Sequence, residues 1–166
     1  MLEVFEDNTF EEKGVAVRPC IKPIYDSDQE FYLSEDYYLC FSLDNDFYCE
    51  IEIFIPAFFI FNGASIPRFF WRMIGFPLSP RFIIASLIHD ALFGKIHGRV
   101  KVWVDGHELK NHQTNGFFNQ STTDSIFKGI LIAEQNCGWK VRMMHRAVRL
   151  GGRFAFRKSE NKFYQG

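Results

Sequence analysis

Residues 82–93, FIIASLIHDALF, constrain this chain more than any other stretch. The spacing predicts a helix, and a helix apolar on nearly every side has no face to give to water. The rest of the chain must therefore wrap it, which places it at the centre of a core. Ser79 and Pro80 supply the start signal, about four turns follow, and Gly94 supplies the stop. Within this apolar surround stand His89 and Asp90, and buried charge is costly unless it is paired or bound to a metal.

The chain has the material for such a core. At 166 residues, folding can remove roughly 70% of the unfolded surface from water. Hydrophobic residues make up 47%, and the 20 Phe each bury a large area. Residues 15–61 read as strands, with a hairpin over 37–55 turning at Asp44, Asn45 and Asp46. In CEIEIFI, Glu50 and Glu52 alternate with Ile51, Ile53 and Ile55, which gives one wet face and one core face. The expected product is an antiparallel sheet.

After Asn62 and Gly63 the period changes. Ser65 before Ile66 and Pro67 predicts a short helix over 67–74. Asp105-Gly106 predicts a small hairpin within 99–110, followed by a polar loop. A helix capped among Ser121, Thr122 and Thr123 then runs to Gly138, and a last one runs from near Trp139 to Gly151 and Gly152. The expectation is a single α+β domain over 1–166. Its acidic N-terminal antiparallel β-sheet region (15–61) precedes a basic, mainly helical part (62–157) with two antiparallel core helices.

Several function classes drop out. The opening MLEVFEDNTFEEK is acidic, so secretion by a cleaved leader is not expected. The longest uncharged stretch, 53–67, is shorter than the ~20 apolar residues a spanning helix needs. Cys20, Cys40, Cys49 and Cys137 lack C-x-x-C spacing and predict reduced, mostly buried thiols made in a cytoplasm. No nucleophile elbow, Walker loop or dinucleotide fingerprint occurs.

The net charge of −1 hides a split: residues 1–61 hold three Lys/Arg against fourteen Asp/Glu, and residues 62–166 hold sixteen against six. A basic face can meet nucleic acid, anionic lipid or an acidic protein surface, and equally the two halves can attract each other. Arg142, Arg146, Arg149, Arg153 and Arg157 recur opposite Val141, Met144 and Val148, the pattern of a basic amphipathic helix.

Neighbouring helical residues diverge by ~100°, so His89 and Asp90 can flank a pocket without sharing one task. Asp124 is predicted in the first turn of the following long helix. Packed at a usual 8–10 Å between axes, that helix brings Asp124 within reach of the imidazole. A carboxylate there fixes the tautomer of a His general base and stabilises its imidazolium. Taken alone, a His-Asp pair on a core helix is more often a satisfied structural hydrogen-bond network. Asn62, Gly63, Ser65 and Arg68 are candidates for the pocket mouth, although a turn and a cap explain Gly63 and Ser65 as well. His97, His107, His112 and His145 form no familiar metal-ligand spacing with Cys137 and read as exposed or structural.

The segments FNGASIPRFFW, LIHDALF, TDSIF and MMHRAVRLGG, in this order, resemble a phage- and prophage-borne family of uncharacterised proteins. The likeness spans roughly residues 50–155. That family shows an N-G-A-S-I-P-R turn, an H-D-x-L-Y helix, a later A-D-x-x-F and a closing amphipathic helix; here Phe93 stands at the Tyr and Thr123 at the Ala. The His-Asp helix and the distant Asp are also similar to the two-helix core of phospholipase A2. That resemblance implies that His89 activates water, Asp90 binds Ca2+ and Asp124 holds His89, with backbone oxygens of 61–65 or 75–78 completing the six to eight oxygens calcium takes.

Two functions follow from the resemblances. One is a phage-encoded hydrolase acting on an ester of a phosphorus-containing lipid or envelope polymer. The other is a non-catalytic virion or accessory protein with a buried His-Asp network. Either is expected to be made in the host cytoplasm, to be carried on the virion where it has a virion role, and to meet phage or host proteins through an acidic or basic face.

Overall fold

A computed structural model describes residues 9–12, 18–24, 30–44, 48–62, 79, 82–93, 99–134, 137–155 and 162–163. The strands are β1 (Thr9–Glu12), β2 (Ile21–Pro23), β3 (Phe31–Leu33), β4 (Tyr37–Asp44), β5 (Tyr48–Ile55), β6 (Phe59–Phe61), β7 (Lys101–Val104), β8 (His107–Glu108) and β9 (Lys162–Phe163). The helices are α1 (Ile83–Leu92), α2 (Asn111–Phe117), α3 (Gln120–Ala133) and α4 (Gly138–Ala155). The architecture is α+β, with antiparallel sheets built mainly by the first half and helices by the second.

The alternation in 37–55 does what the period of two requires. β4 and β5 pair antiparallel with Tyr37 opposite Ile55 and Phe41 opposite Ile51. Tyr37, Leu39, Phe41, Ile51, Ile53 and Ile55 are buried on one face. On the other, the Tyr38 hydroxyl donates to Glu52 and the Cys40 thiol to Glu50. The predicted small hairpin forms as β7 and β8, with Asp105 (φ 49°) and Gly106 (φ 76°) both left-handed, as the favoured two-residue turn demands. Asp105 is further held because its Oδ1 accepts from the Glu50 N–H and its own N–H donates to the Glu50 carbonyl, each at 2.8 Å.

Where one sheet was expected, the strands divide into two. The larger runs β1-β4-β5-β7-β8 and the smaller β2-β3-β6-β9. The larger takes two strands from the second half of the chain, β7 beside β5 and β8 beside β7, and the smaller takes one, β9 beside β6. β2 is three residues long, ends at Pro23 and pairs antiparallel with β3, Ile21 opposite Leu33.

α1 lies where an all-apolar helix must. Every residue of it except Asp90 is buried, and the same hydrophobic cluster takes in Leu33, Phe59 and Phe61 from the smaller sheet, Val102 from the larger and Ile126, Phe127, Ile130 and Leu131 from α3. α3 packs against both α1 and α4. The polar loop expected before α3 is instead the short helix α2. Its start is tied by the Lys110 N–H donating to Gln113 Oε1 at 2.9 Å, and Thr114 and Phe118 anchor it in the core. The cap of α3 is Asn119, whose Oδ1 accepts from the Thr122 N–H at 3.0 Å, ahead of the expected Ser121–Thr123 position.

Two further corrections concern Asp124 and the thiols. Asp124 falls in the second turn of α3, not the first. Cys20 and Cys137 are exposed and Cys40 and Cys49 are partly covered, because the first two lie in connections outside the sheets and helices. The expected helix over 67–74, and residues 75–78, lie outside the described residues. Among the described residues no helix is long and apolar enough to cross a membrane.

Candidate active site

His89 comes from the last turn of α1, and Asp124 from the face of α3 that packs on it. Their side chains meet: His89 Nε2 lies 3.1 Å from Asp124 Oδ1. An ionised carboxylate can only accept, so Nε2 carries the hydrogen and the basic lone pair is left on Nδ1. Asp124 is wholly buried and His89 is 8% exposed. The pair therefore sits in a low-dielectric setting where its mutual attraction is weakly screened.

Helical spacing builds the walls. Phe93, one turn beyond His89, places its ring 5.0 Å from the imidazole. Phe127, three residues beyond Asp124, also meets the imidazole, edge-on at 5.1 Å. The Thr123 hydroxyl reaches the Leu92 carbonyl at 3.4 Å, a further stitch between the helices. Asp90 turns away from the helix interface, as the ~100° step requires. Its Oδ2 accepts from the Asn62 N–H at the end of β6 at 2.9 Å, and its Oδ1 lies 3.6 Å from His89 Nδ1.

The imidazole thus has a carboxylate beside each nitrogen. Burial opposes its charge, but the hydrogen bonds and charges of Asp124 and Asp90 outweigh that and raise its pKa above the ordinary histidine value. Chemically, the arrangement can take up a proton at Nδ1 and stabilise the imidazolium that results.

The other expected positions sort by place. Asn62 is exposed and serves through its backbone N–H, while Gly63, Ser65 and Arg68 lie outside the described residues. Arg142, Arg146 and Arg149 are exposed on α4, opposite buried Val141, Met144 and Val148, and form a separate basic face. Arg146 and Arg149 line a groove of about 630 Å³ with Asn119, Gln120, Ser121 and Leu150. His107 is exposed, with Nδ1 2.9 Å from the Asp105 carbonyl oxygen, while His97 and the side chain of His112 lie outside the description. Among the described residues no three His, Cys, Asp or Glu side chains converge as metal ligands would.

One titratable neighbour of the dyad was missed. His145 sits at i+4 from Val141 and i−3 from Val148, on the apolar stripe of α4, and its ring is partly buried. That spacing was the available signal, obscured by the arginines around it.

A family model described as a protein of unknown function (DUF1353) matches residues 41–148, well over half of the chain. The chain belongs to the DUF1353 family. In this DUF1353 protein the matched span runs from within β4 into α4 and holds His89, Asp90, Asp124 and His145 together. No curated protein and no solved structure matches the chain.

Proposed function

We propose that this protein is a small phage-encoded hydrolase in which His89 is the general base and Asp124 its orienting carboxylate. Its substrate is an ester of a phosphorus-containing lipid or envelope polymer. The observation that carries the reading is the contact of His89 Nε2 with the buried Asp124, which leaves Nδ1 toward Asp90, the more exposed of the two carboxylates. Water activated at Nδ1 attacks the ester, its proton passing to an imidazolium held by both carboxylates, and as the ester bond breaks that proton is returned to the leaving alkoxide. Asp90 is the residue that would hold a calcium ion, which when bound would stabilise negative charge developing on the ester oxygens. The exposed Arg142, Arg146 and Arg149 suit an anionic lipid surface, which is where such a substrate lies. Synthesis in the host cytoplasm and carriage on the virion fit that role.

A second reading is favoured by the 8% exposure of His89 and the two phenyl rings against it: a virion or accessory protein in which the dyad is a structural network. His89→Asn separates the two. A base predicts a loss of about 10² to 10⁴ in hydrolysis of phospholipid or simple ester, with calcium and with chelator, at little change in Tm. A structural histidine predicts a stability loss of about 1–3 kcal/mol from the partner left unpaired. Wild-type protein without hydrolysis under either condition sinks the hydrolase reading.

A further inference from the structure

Asp124 uses only half of its carboxylate on His89. The second oxygen, Oδ2, is buried with no hydrogen-bond partner among the described residues, and Phe93, the aromatic ring beside the dyad, brings no hydroxyl to it. Buried carboxylate oxygens rarely go unserved, because removal from water is compensated only by a donor. On α4, which packs against α3, the Nε2 of His145 is likewise buried and has no partner among the described residues. These are complementary groups: one can only accept and the other can donate. Of the charges that act on His145, that of Asp124 is the strongest, ahead of Lys128 on α3, Arg149 on its own helix and His89 on α1. The two atoms share no direct hydrogen bond, and a water between them would serve both. A water held by two buried polar groups is a common structural element.

We propose that Asp124 serves two imidazoles, with Oδ1 holding His89 directly and Oδ2 holding His145 Nε2–H through a single enclosed water, so that His145 is a positioning residue for the dyad. The carboxylate is then fixed at both oxygens and cannot rotate away from His89. His145 must carry a hydrogen on Nε2 to play this part, as the neutral Nε2–H tautomer does and the Nδ1–H tautomer does not. Burial, the first influence on it, favours the neutral ring, with Lys128, Arg149 and His89 acting in the same sense against Asp124. This positioning role rests on the hydrolase reading, whereas the network itself does not.

Imidazole 15N NMR on the full chain across pH tests the proposal. His145 is expected as the Nε2–H tautomer at neutral pH, and Asp124→Asn should move its titration to still lower pH because the carboxylate is what raises it. An Nδ1–H tautomer, or a His145 titration that Asp124→Asn leaves in place, overturns the proposal. Should Asp124→Asn fail to fold, His145→Gln and His145→Leu carry the test through the solvent exchange of the His89 Nε2–H proton. Gln keeps an N–H at similar reach and should preserve slow exchange, while Leu should accelerate it. Equal protection by Leu and Gln would mean that His145 only fills space, and overturns the proposal. Hydrolysis measured in parallel keeps the two readings apart: the expected NMR behaviour in a protein that hydrolyses nothing supports the network and removes the enzyme. Hydrolysis without that behaviour overturns the network and leaves the dyad.

Discussion

His89 and His145 stand near one carboxylate, yet their surroundings push their proton affinities in opposite directions. His89 is raised from 6.5, so the folded state holds its proton more tightly than the unfolded chain. Its contribution to stability is full below pH 6.5 and is lost as pH rises through the raised folded value. His145 is lowered from 6.5, so the unfolded chain takes the proton first, and its contribution is full above pH 6.5 and lost as pH falls through the lowered folded value. Together they predict a stability maximum near pH 6.5 in urea denaturation. His89→Asn should flatten the alkaline limb and His145→Gln the acid limb. A wild-type profile that rises without a break from pH 6 to 9 would contradict the His89 assignment.

The helix that carries Asp124 is positioned by its own first turn. Asn119 caps α3 through the Thr122 N–H, and Asn119→Ala should cost about 1 kcal/mol in chemical denaturation. Because Asp124 lies just beyond that turn, fraying there should also speed solvent exchange of the His89 Nε2–H. An undiminished midpoint would show the cap to be idle. This element illustrates how far the sequence could be read. The period of three to four from Asp124 through Leu131 identified the helix and placed Asp124 toward His89, but Asn119, Ser121, Thr122 and Thr123 are all competent caps, and only tertiary geometry chose Asn119. α2 was illegible for a different reason. NHQTNGF has neither an apolar stripe nor strong helix formers, and it is helical because Gln113 ties its start while Thr114 and Phe118 are drawn into the core. The 37–55 hairpin and α1 were legible because burial on one face, or on all, leaves its period in the sequence. The split into two sheets was not, since strand pairing between distant segments leaves no local trace.

At the scale of the molecule, the acidic and basic parts of the sequence are not separate bodies. Strands from both pair in both sheets, and Arg18 joins Glu134 at 2.7 Å. The basic surface on α4 nevertheless stays outward at Arg142, Arg146 and Arg149. With about 1 kcal/mol per basic residue at an anionic lipid surface, changing all three to Gln should lower partitioning onto phosphatidylglycerol vesicles by roughly 10²-fold. Cosedimentation reads this directly. Wild-type binding should also fade as salt shortens the Debye length from ~10 Å at 0.1 M to ~3 Å at 1 M. Binding indifferent to salt would rule the arginines out as its cause.

The pairing of β6 with β9 has a consequence for how the protein is made. Phe59 and Phe163, which face each other across that ladder, are about a hundred residues apart along the chain. At ~5–20 residues per second, a ribosome leaves the β6 edge waiting for roughly 5–20 s before its partner is translated. Through that interval the nascent chain shows the bare strand FIF, an edge able to recruit the same strand of another nascent copy. Crowded translation, more than heat, should therefore be what drives this protein into inclusion bodies, and slowing expression should recover it.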